Sequence, residues 1–450
     1  EKQINYMEVE GMKRKVLLVL SLVLLISLFS FAQDEKYYPE YTGKPVTITM
    51  WAWTSNENYS IEEFEKVYPN IKVQWENFGV HYTKAQTALS AGSGLPDVLM
   101  LEYTYANQFM DLGAFQPINK WLDEDTFIEL YGEEALKWCS MDGEIYGTPQ
   151  DSGVVSLFYR KDIFDKYGLK VPTTMEEFAE EARKLHEMDP EISFVTAPVV
   201  WVLFYIGEVW QAGGKLFDYD NGNWYIDFTN PTAEKVFEFW GKLIDDGVIR
   251  LENWWTPDWY NSLNTGKTAA VIAGNWFSEW LRYNAPDSEG LWRVASHPQW
   301  DPKHPTNSMM GGSGFYVTAH SKNPEAAAIF VNWLNSHPKS LKCLHTYSNL
   351  PVMVSKRYGE VIEELDAPDK YFGGQHIVKM LWEEHKLFKT SFASLPIMSN
   401  LDTILGQLNQ DYLDGKIKNY ADILPMWEEE AIKIMKEFGY RNLITGKLPN

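Results

Sequence analysis

Aromatic side chains stand directly beside polar side chains at three places in this sequence. The flat face of an indole or phenol ring covers the apolar C–H face of a sugar ring, while carboxylates, amides and indole N–H groups bind the hydroxyls at its edge. These segments therefore predict a carbohydrate-binding surface. Trp53 and Trp276 are expected in loops and are candidates for stacking, whereas Trp51 closes a strand and is expected to point inward. The segments are 51–56 (WAWTSN), 102–105 (EYTY) and 274–276 (GNW).

Motifs for metal-dependent, phosphate-binding and serine-hydrolase chemistry are absent from the sequence. It has no His-Glu-x-x-His, no Cys-x-x-Cys and no Gly-x-Ser-x-Gly, so we expect no metal, no cofactor and no catalytic residue. Residues 266–268 (GKT) resemble the end of a phosphate-binding loop, but Asn261 stands where that loop needs glycine. A glycoside-acting enzyme needs only two carboxylates, and 62 Asp and Glu residues leave that alternative open.

The composition indicates a globular protein of two lobes with an acidic surface. The chain has 450 residues, and a single core rarely serves more than roughly 250–300. A net charge of −22 excludes nucleic acid and anionic lipid headgroups as natural partners. The 19 Trp and 25 Tyr residues exceed what a core needs and indicate stacking surfaces. Two cysteines, Cys139 and Cys343, are too few for a disulfide scaffold, and whether they pair stays open.

The N-terminal segment has the pattern of a secretory signal peptide. A cationic stretch at 13–15 precedes an apolar and serine-containing run at 16–31, and a small-x-small cleavage site lies at 30–32. The run is short for a membrane-spanning helix, which is the alternative interpretation. We therefore treat residues 1–33 as an N-terminal extension and signal peptide. The mature protein is expected to be secreted, to the periplasm or to the exterior of the cell surface.

The elements that must position the aromatic segments alternate between strands and helices. This alternation predicts a parallel sheet covered on both faces, with ligands beyond the carboxyl ends of its strands. A capping box at Thr174 opens a later helix, and no linker separates two halves, so the lobes are expected to be interwoven. Strands are expected at 46–50, 71–75 and 98–101, and helices at 57–68, 82–91, 375–389, 400–415 and 421–438.

The order and spacing of further motifs resemble the family 1 extracellular solute-binding proteins of bacterial ABC importers, the group that binds oligosaccharides. Each motif is short, but together they span nearly the whole mature chain. The matching segments are 90–98 (SAGSGLPDV), 143–149 (GEIYGTP), 157–162 (LFYRKD), 172–178 (PTTMEEF), 266–271 (GKTAAV), 274–276 (GNW), 311–317 (GGSGFYV) and 321–327 (SKNPEAA).

The resemblance implies an α/β protein with the two-lobed periplasmic-binding-protein fold of type II. In this fold each lobe is a mainly parallel sheet flanked by helices, and the lobes are interwoven through hinge crossovers. For this chain it implies lobe 1 at 34–149 and 312–370, and lobe 2 at 150–311 and 371–450, with crossings near 148–155 and 311–316.

The resemblance also assigns ligand contacts by position. The acidic Glu102 and Asp151 favour a neutral or cationic ligand over an acidic sugar, and we expect a neutral oligosaccharide. A cluster of three further tryptophans, Trp254, Trp255 and Trp259, is interpreted equally well as a second aromatic wall or as hydrophobic packing. The implied contacts are Trp53, Thr54, Asn56, Glu102, Tyr103, Tyr105, Asp151, Trp201, Trp276, Gly312, Ser313, Asn400 and Asp402.

Members of the family hold sugar between the lobes and deliver it to a membrane permease. By that resemblance this chain is expected to be a monomeric carrier, not an enzyme, that meets the membrane only through permease subunits. Two alternatives stay open: a secreted glycoside-acting enzyme that uses paired carboxylates, and a chemosensory or regulatory binding protein with the same fold.

Overall fold

The computed structural model describes residues 36–54, 56–77, 79, 82–348, 352–388 and 393–449. The predicted signal peptide lies outside these residues.

The described chain alternates between short strands and helices. The strands are β1 (Val46–Ala52), β2 (Ile71–Asn77), β3 (Val98–Glu102), β4 (Ser140–Met141), β5 (Glu144–Ile145), β6 (Gly147–Pro149), β7 (Val155–Arg160), β8 (Thr196–Pro198), β9 (Phe217–Asp220), β10 (Asn223–Ile226), β11 (Arg250–Glu252), β12 (Ala270–Gly274), β13 (Trp292–Ser296), β14 (Ser313–Val317) and β15 (Leu443–Thr445).

Helices are distributed along the described chain between residues 58 and 437. They are α1 (Asn58–Val67), α2 (Tyr82–Ser90), α3 (Tyr103–Asp111), α4 (Glu124–Tyr131), α5 (Leu136–Cys139), α6 (Lys161–Tyr167), α7 (Met175–Met188), α8 (Val202–Gln211), α9 (Pro231–Asp245), α10 (Pro257–Thr265), α11 (Phe277–Asn284), α12 (Pro324–Ser336), α13 (Pro338–Ser348), α14 (Ile362–Leu365), α15 (Ile377–His385), α16 (Met398–Leu413) and α17 (Ile423–Glu437).

The first sheet has the strand order β2-β1-β3-β14-β6. Strands β1, β2 and β3 are parallel, as their alternation with helices predicts. Strand β14 returns from much later in the chain and pairs antiparallel with both β3 and β6. The start of β14 therefore lies at the same edge of the sheet as the end of β3, where Ser313 pairs with Glu102.

The second sheet, β12-β7-β13, differs from the expected mainly parallel arrangement. Its central strand β7 is antiparallel to both neighbours. Strand β12 returns to β7 after a long excursion, so no single crossover helix fixes its direction relative to β7. Strand β13 follows β12 through helix α11 and runs parallel to it on the other side of β7.

Two segments of the described chain connect the first sheet with the second. Pro149 ends β6 in the first sheet and Val155 begins β7 in the second. In the return direction, β13 belongs to the second sheet and β14 to the first. These connections set the ends of the two sheets beside each other.

Several helices form where capping and periodicity in the sequence predict them. The hydroxyl of Thr174 accepts a hydrogen bond from the backbone N–H of Glu177 at 3.1 Å, and α7 begins one residue after Thr174, as the capping box predicts. The three helices expected near the C-terminus also form, as α15, α16 and α17.

Both cysteines are free thiols in the structure. Cys139 is buried, and burial raises the pKa of its thiol. Its Sγ lies 3.9 Å from the hydroxyl of Tyr316, inside the core of the first sheet. The disulfide that the sequence left open is therefore not formed here.

Candidate functional site

A cavity of about 390 Å³ lies where the ends of the two sheets face each other. On one side it is bounded by residues at the ends of β1, β3 and β14, and on the other by residues before α8 and after β12. The carboxyl ends of parallel strands are where open α/β sheets bind ligands. The lining residues are Trp53, Thr54, Met100, Glu102, Asp151, Trp201, Leu203, Trp255, Trp276, Glu279, Trp280, Gly311, Gly312 and Ser313.

Indole rings form one wall of the cavity. Trp201 stands nearly perpendicular to both Trp255 and Trp276, at 88° and 85°, with ring centroids 5.3 and 6.0 Å apart. Trp255 also lies 5.8 Å from the ring of Trp280, whose side chain is largely exposed. The wall therefore offers ring faces in two orientations, which suits a ligand with more than one apolar face.

Trp276 is fixed by a polar anchor and by two glycines. Its indole Nε1 donates to the carbonyl oxygen of Met310 at 2.6 Å. A Cβ on Gly274 or Gly311 would approach Trp276 Nε1 to 2.4 or 2.9 Å, so both positions need glycine. Because the N–H is already used inside the protein, the ring contributes its face to the cavity.

Trp255 occupies a strained backbone conformation. Its φ is 67°, in the left-handed region that is unfavourable for a bulky residue. Behind it, the buried Trp254 and Trp259 both donate their Nε1 to the hydroxyl oxygen of Thr196, at 3.0 and 3.1 Å. These buried rings support the strained turn and hold Trp255 at the cavity.

The opposite wall carries Trp53 and Thr54, directly after β1. Trp53 packs edge to face on Tyr82, with centroids 5.9 Å apart. The hydroxyl of Thr54 donates to Glu57 Oε1 at 2.5 Å, and burial raises the pKa of Glu57 to about 7. Thr54 is therefore held in one rotamer by a buried carboxyl group.

Three carboxyl groups line the cavity, those of Glu102, Asp151 and Glu279, and the carboxyl group of Asp402 lies close to that of Glu102. Burial raises the pKa of Glu102 to about 7, and the negative charges of Asp151 and Asp402 add to the rise. Burial also raises the pKa of Asp151 to about 7, although its Oδ1 accepts a hydrogen bond from Ser313 N at 3.0 Å. Near neutral pH these groups exchange between acceptor and donor forms, and both forms bind hydroxyls.

Asp402, the carboxyl group beside the cavity, is bonded to the N-terminus of α8. Its Oδ1 accepts a hydrogen bond from Val202 N at 2.6 Å, directly after the cavity-lining Trp201. Burial raises its pKa to about 6, against the effect of that hydrogen bond. Asp402 therefore links α16 to the aromatic wall.

A family comparison supplies the identity of this arrangement. Residues 52–339 match the model of the bacterial extracellular solute-binding protein family. The chain belongs to that family. It also has the two-lobed α/β fold of periplasmic binding proteins, in agreement with the sequence-based prediction.

Curated relatives of this solute-binding protein include sugar-binding proteins. It is 25% identical to the lactose-binding protein of Rhizobium radiobacter over 73% of this chain and 80% of that one. It is also 25% identical to the arabinooligosaccharide-binding protein of Halalkalibacterium halodurans, over 63% of this chain and 64% of that one.

Solved structures agree with the fold. An ABC transporter-associated binding protein of B. animalis subsp. lactis, in complex with β-1,6-galactobiose, is 25% identical with a TM-score of 0.73, covering 89% of this chain and 100% of that one. The galacto-N-biose-/lacto-N-biose I-binding protein of Bifidobacterium longum is 20% identical with a TM-score of 0.74, covering 89% and 99%.

Eight of the thirteen residues assigned from sequence line the cavity of the solute-binding protein. They come from both sheets and from the crossing segments, and their convergence was not visible in any single motif. They are Trp53, Thr54, Glu102, Asp151, Trp201, Trp276, Gly312 and Ser313.

The remaining five assigned residues lie beside the cavity or away from it. Tyr103 is buried and donates its hydroxyl to the carbonyl oxygen of Asp151 at 2.9 Å, which supports the crossing segment. The ring of Tyr105 stacks on the ring of Tyr82, with the two centroids 4.1 Å apart. Asn56 is exposed and donates its amide to Tyr347 O at 2.7 Å. Asn400 and Asp402 are half-buried on α16.

The sequence interpretation missed several lining residues. Trp280 and Glu279 were not singled out, although Trp280 stands four residues after Trp276 and so shares its helix face. Glu279 is paired with Arg282, whose Nε donates to it at 3.0 Å. The sequence also left open the role of the cluster Trp254, Trp255 and Trp259. In the structure Trp255 belongs to the aromatic wall, whereas Trp254 and Trp259 belong to the core.

Two kinds of feature are absent from the described residues. Within them, no group of three or more His, Cys, Asp or Glu side chains is arranged to hold a metal ion. In the same part of the chain, no helix combines the length and apolar character that crossing a membrane requires.

Proposed function

We propose that this solute-binding protein captures an oligosaccharide in the cavity between its two sheets and delivers it to the permease of an ABC importer. The observation that carries the proposal is the wall of Trp201, Trp255 and Trp276 facing the carboxyl groups of Glu102 and Asp151. Ring faces bury the apolar side of a sugar at about 25 cal/mol per Å². Carboxyl groups bind hydroxyls and so select orientation.

The proposal includes closure of two lobes on the ligand. Lobe 1 is taken as 34–149 with 312–370, and lobe 2 as 150–311 with 371–450. The ligand bridges walls that belong to different lobes, so it binds the closed arrangement more tightly and shifts the population toward it. The protein is proposed to act as a monomer in the periplasm or on the cell surface.

The alternative of a glycoside-acting enzyme has one observation in its favour. Glu102 and Asp151 share the cavity with pKa values raised to about 7, and a general acid in glycoside hydrolysis needs a raised pKa. The family comprises binding proteins, and we propose that these carboxyl groups bind hydroxyls without cleaving a glycosidic bond.

One panel of plant and storage oligosaccharides tests the proposal. Binding is measured by thermal shift and by calorimetry on the protein from residue 34 onward, and product release is measured on the same mixtures by chromatography. We expect at least one oligosaccharide to bind and none to be shortened. Sustained release of shorter sugars would instead establish the enzyme, and binding of none would contradict the proposed function.

Delivery to a permease is tested separately. The ligand-loaded protein is expected to be retained by membranes that contain the permease expressed from the same genome, and to be lost from membranes without it. Retention by a chemoreceptor and not by a permease would place the protein in signalling instead of transport.

A further inference from the structure

Among the described residues, the lining of the cavity carries acidic side chains and no basic ones. The lining residues carry the carboxyl groups of Glu102, Asp151 and Glu279, and include no Lys, Arg or His within the described chain. Arg282 pairs with Glu279 and compensates that one carboxylate. Glu102 and Asp151, together with the nearby Asp402, have no such partner among the ion pairs of the described residues.

Two of these carboxyl groups are held by neutral backbone N–H groups. Asp151 is 6% exposed, and its Oδ1 accepts a hydrogen bond from Ser313 N. The Oδ1 of Asp402 likewise accepts a hydrogen bond from Val202 N. Neither bond supplies a full positive charge. A buried carboxylate without a compensating positive charge raises the free energy of the unbound protein. A site of this kind therefore favours a ligand that supplies that positive charge.

A metal ion is not the group that fits. The described acidic side chains do not converge in a metal-binding arrangement, and the cavity is walled by indole rings, which supply no metal ligands. Indole faces do attract organic cations, because the ring quadrupole is negative at its face. The combination of indole faces with uncompensated carboxylates therefore matches an ammonium group carried on a sugar ring.

We propose that the cavity prefers an oligosaccharide bearing a free amino group on the ring held at Glu102 and Asp151. This inference rests on the proposed function and refines the expected neutral ligand. A neutral sugar still stacks on the tryptophans and uses the carboxyl groups through its hydroxyls. An amino sugar adds a charge-assisted hydrogen bond at the same place, and acetylation of the amine removes that charge while keeping the ring.

The experiment compares ligands that differ only at C2 of the non-reducing ring. The probes are disaccharides of glucose and of galactose in β-1,3, β-1,4 and β-1,6 linkage, each with a hydroxyl, an amine or an acetamide at C2. Affinities are measured by calorimetry at neutral pH and low salt, where charge interactions are least screened. In at least one linkage we expect the amine to bind about tenfold or more tighter than the hydroxyl and acetamide forms.

Variants locate the origin of the preference. Glu102→Gln with Asp151→Asn keeps the side-chain shapes and one acceptor oxygen at each position while removing the charge. It should bring the ratio of amine to hydroxyl affinity close to one. Glu428→Gln is the matched control, because Glu428 is a partly buried carboxyl group on α17 that accepts a hydrogen bond from Phe228 N and is not a lining residue. Its ratio should equal that of the unmodified protein. Thermal unfolding of each variant checks that it is folded.

The outcomes separate the two proposals. If the hydroxyl forms bind as tightly as the amines in every linkage, or if the double variant keeps the preference, the amino-sugar inference is overturned and the proposed function stands. If no member of the set and no sugar of the wider panel binds, the proposed function itself fails.

Discussion

At the scale of single residues, the indole of Trp276 has one role that the structure isolates. Its N–H is used by Met310 O, and its ring face belongs to the cavity. The neighbouring Trp254 and Trp259 are core residues, although the sequence gives them similar surroundings. Residue type alone therefore does not separate a stacking tryptophan from a packing one, and neither does an internal partner for the N–H, which all three have. The exposure of the ring face to the cavity does.

Trp276→Ala should weaken oligosaccharide binding tenfold or more, because a lost aromatic contact costs on the order of a few kcal/mol. Calorimetry with the sugar found in the panel measures the effect. Trp121→Ala is the matched control, since Trp121 is also half-buried but lies outside the cavity. Equal affinity in both variants would remove Trp276 from the site.

The carboxyl group of Glu102 makes stability depend on pH in a defined direction. Its folded pKa is raised from an ordinary value near 4.5 to about 7. The protonated form is therefore favoured in the folded state, so the associated stability is present below pH 4.5 and is lost as the pH rises through about 7.

Glu102→Gln should consequently change the free energy of unfolding of the ligand-free protein in a pH-dependent way. The change should be more favourable to folding at pH 8 than at pH 4.5, by more than about 1 kcal/mol. Chemical denaturation at the two pH values measures the difference. If the two proteins show parallel pH dependence, Glu102 is not the buried, shifted group described above.

At the scale of elements, the segment before β14 carries a tight backbone constraint beside the cavity. Gly312 has φ of 102°, and a Cβ there would lie 2.8 Å from Tyr103 Cε2 and 3.0 Å from Asp151 O. This close approach brings the first crossing segment, the start of α3 and the start of β14 together. It explains why a glycine pair precedes the strand.

Gly312→Ala should destabilise the protein by about 1–2 kcal/mol more than Gly290→Ala does. Both glycines have positive φ, but a Cβ on Gly290 meets nothing within 4 Å. The pair therefore separates the cost of crowding from the cost of the backbone conformation. Denaturant midpoints measure both, and equal losses would show that crowding at Gly312 is relieved by local movement.

At the scale of the whole molecule, the cavity joins parts of the chain that are far apart in sequence. In the aromatic wall, Trp276 follows β12 of the second sheet, and Trp201 and Trp255 follow β8 and β11 of a separate two-stranded sheet. On the other side, Trp53 follows β1 and Glu102 ends β3 of the first sheet. Binding energy from both walls is available only when the sheets approach each other. Ligand affinity and lobe arrangement are therefore coupled in the proposed mechanism.

Saturating oligosaccharide should reduce the radius of gyration in small-angle scattering. At a ligand concentration of one hundred times Kd, it should also raise the free energy of unfolding by about 2.7 kcal/mol. Trp276→Ala at the same sugar concentration should show smaller changes in both. A bound ligand with an unchanged radius of gyration would contradict closure while leaving binding intact.

The sequence by itself determined the local elements and the family. Strands β1 to β3, the capped start of α7 and the C-terminal helices follow from periodicity and capping, because these signals act between residues close along the chain. It also determined that Trp53, Glu102 and Trp276 stand at strand ends.

Only the tertiary structure decided which of these residues share a site. It brought Trp255 and Trp280 to the wall, sent Trp254 and Trp259 to the core, and left Asn56 on the surface. It also decided that the second sheet is antiparallel. Each of these outcomes depends on contacts between segments far apart in the chain, whose geometry is set by packing and not by the order of neighbouring residues.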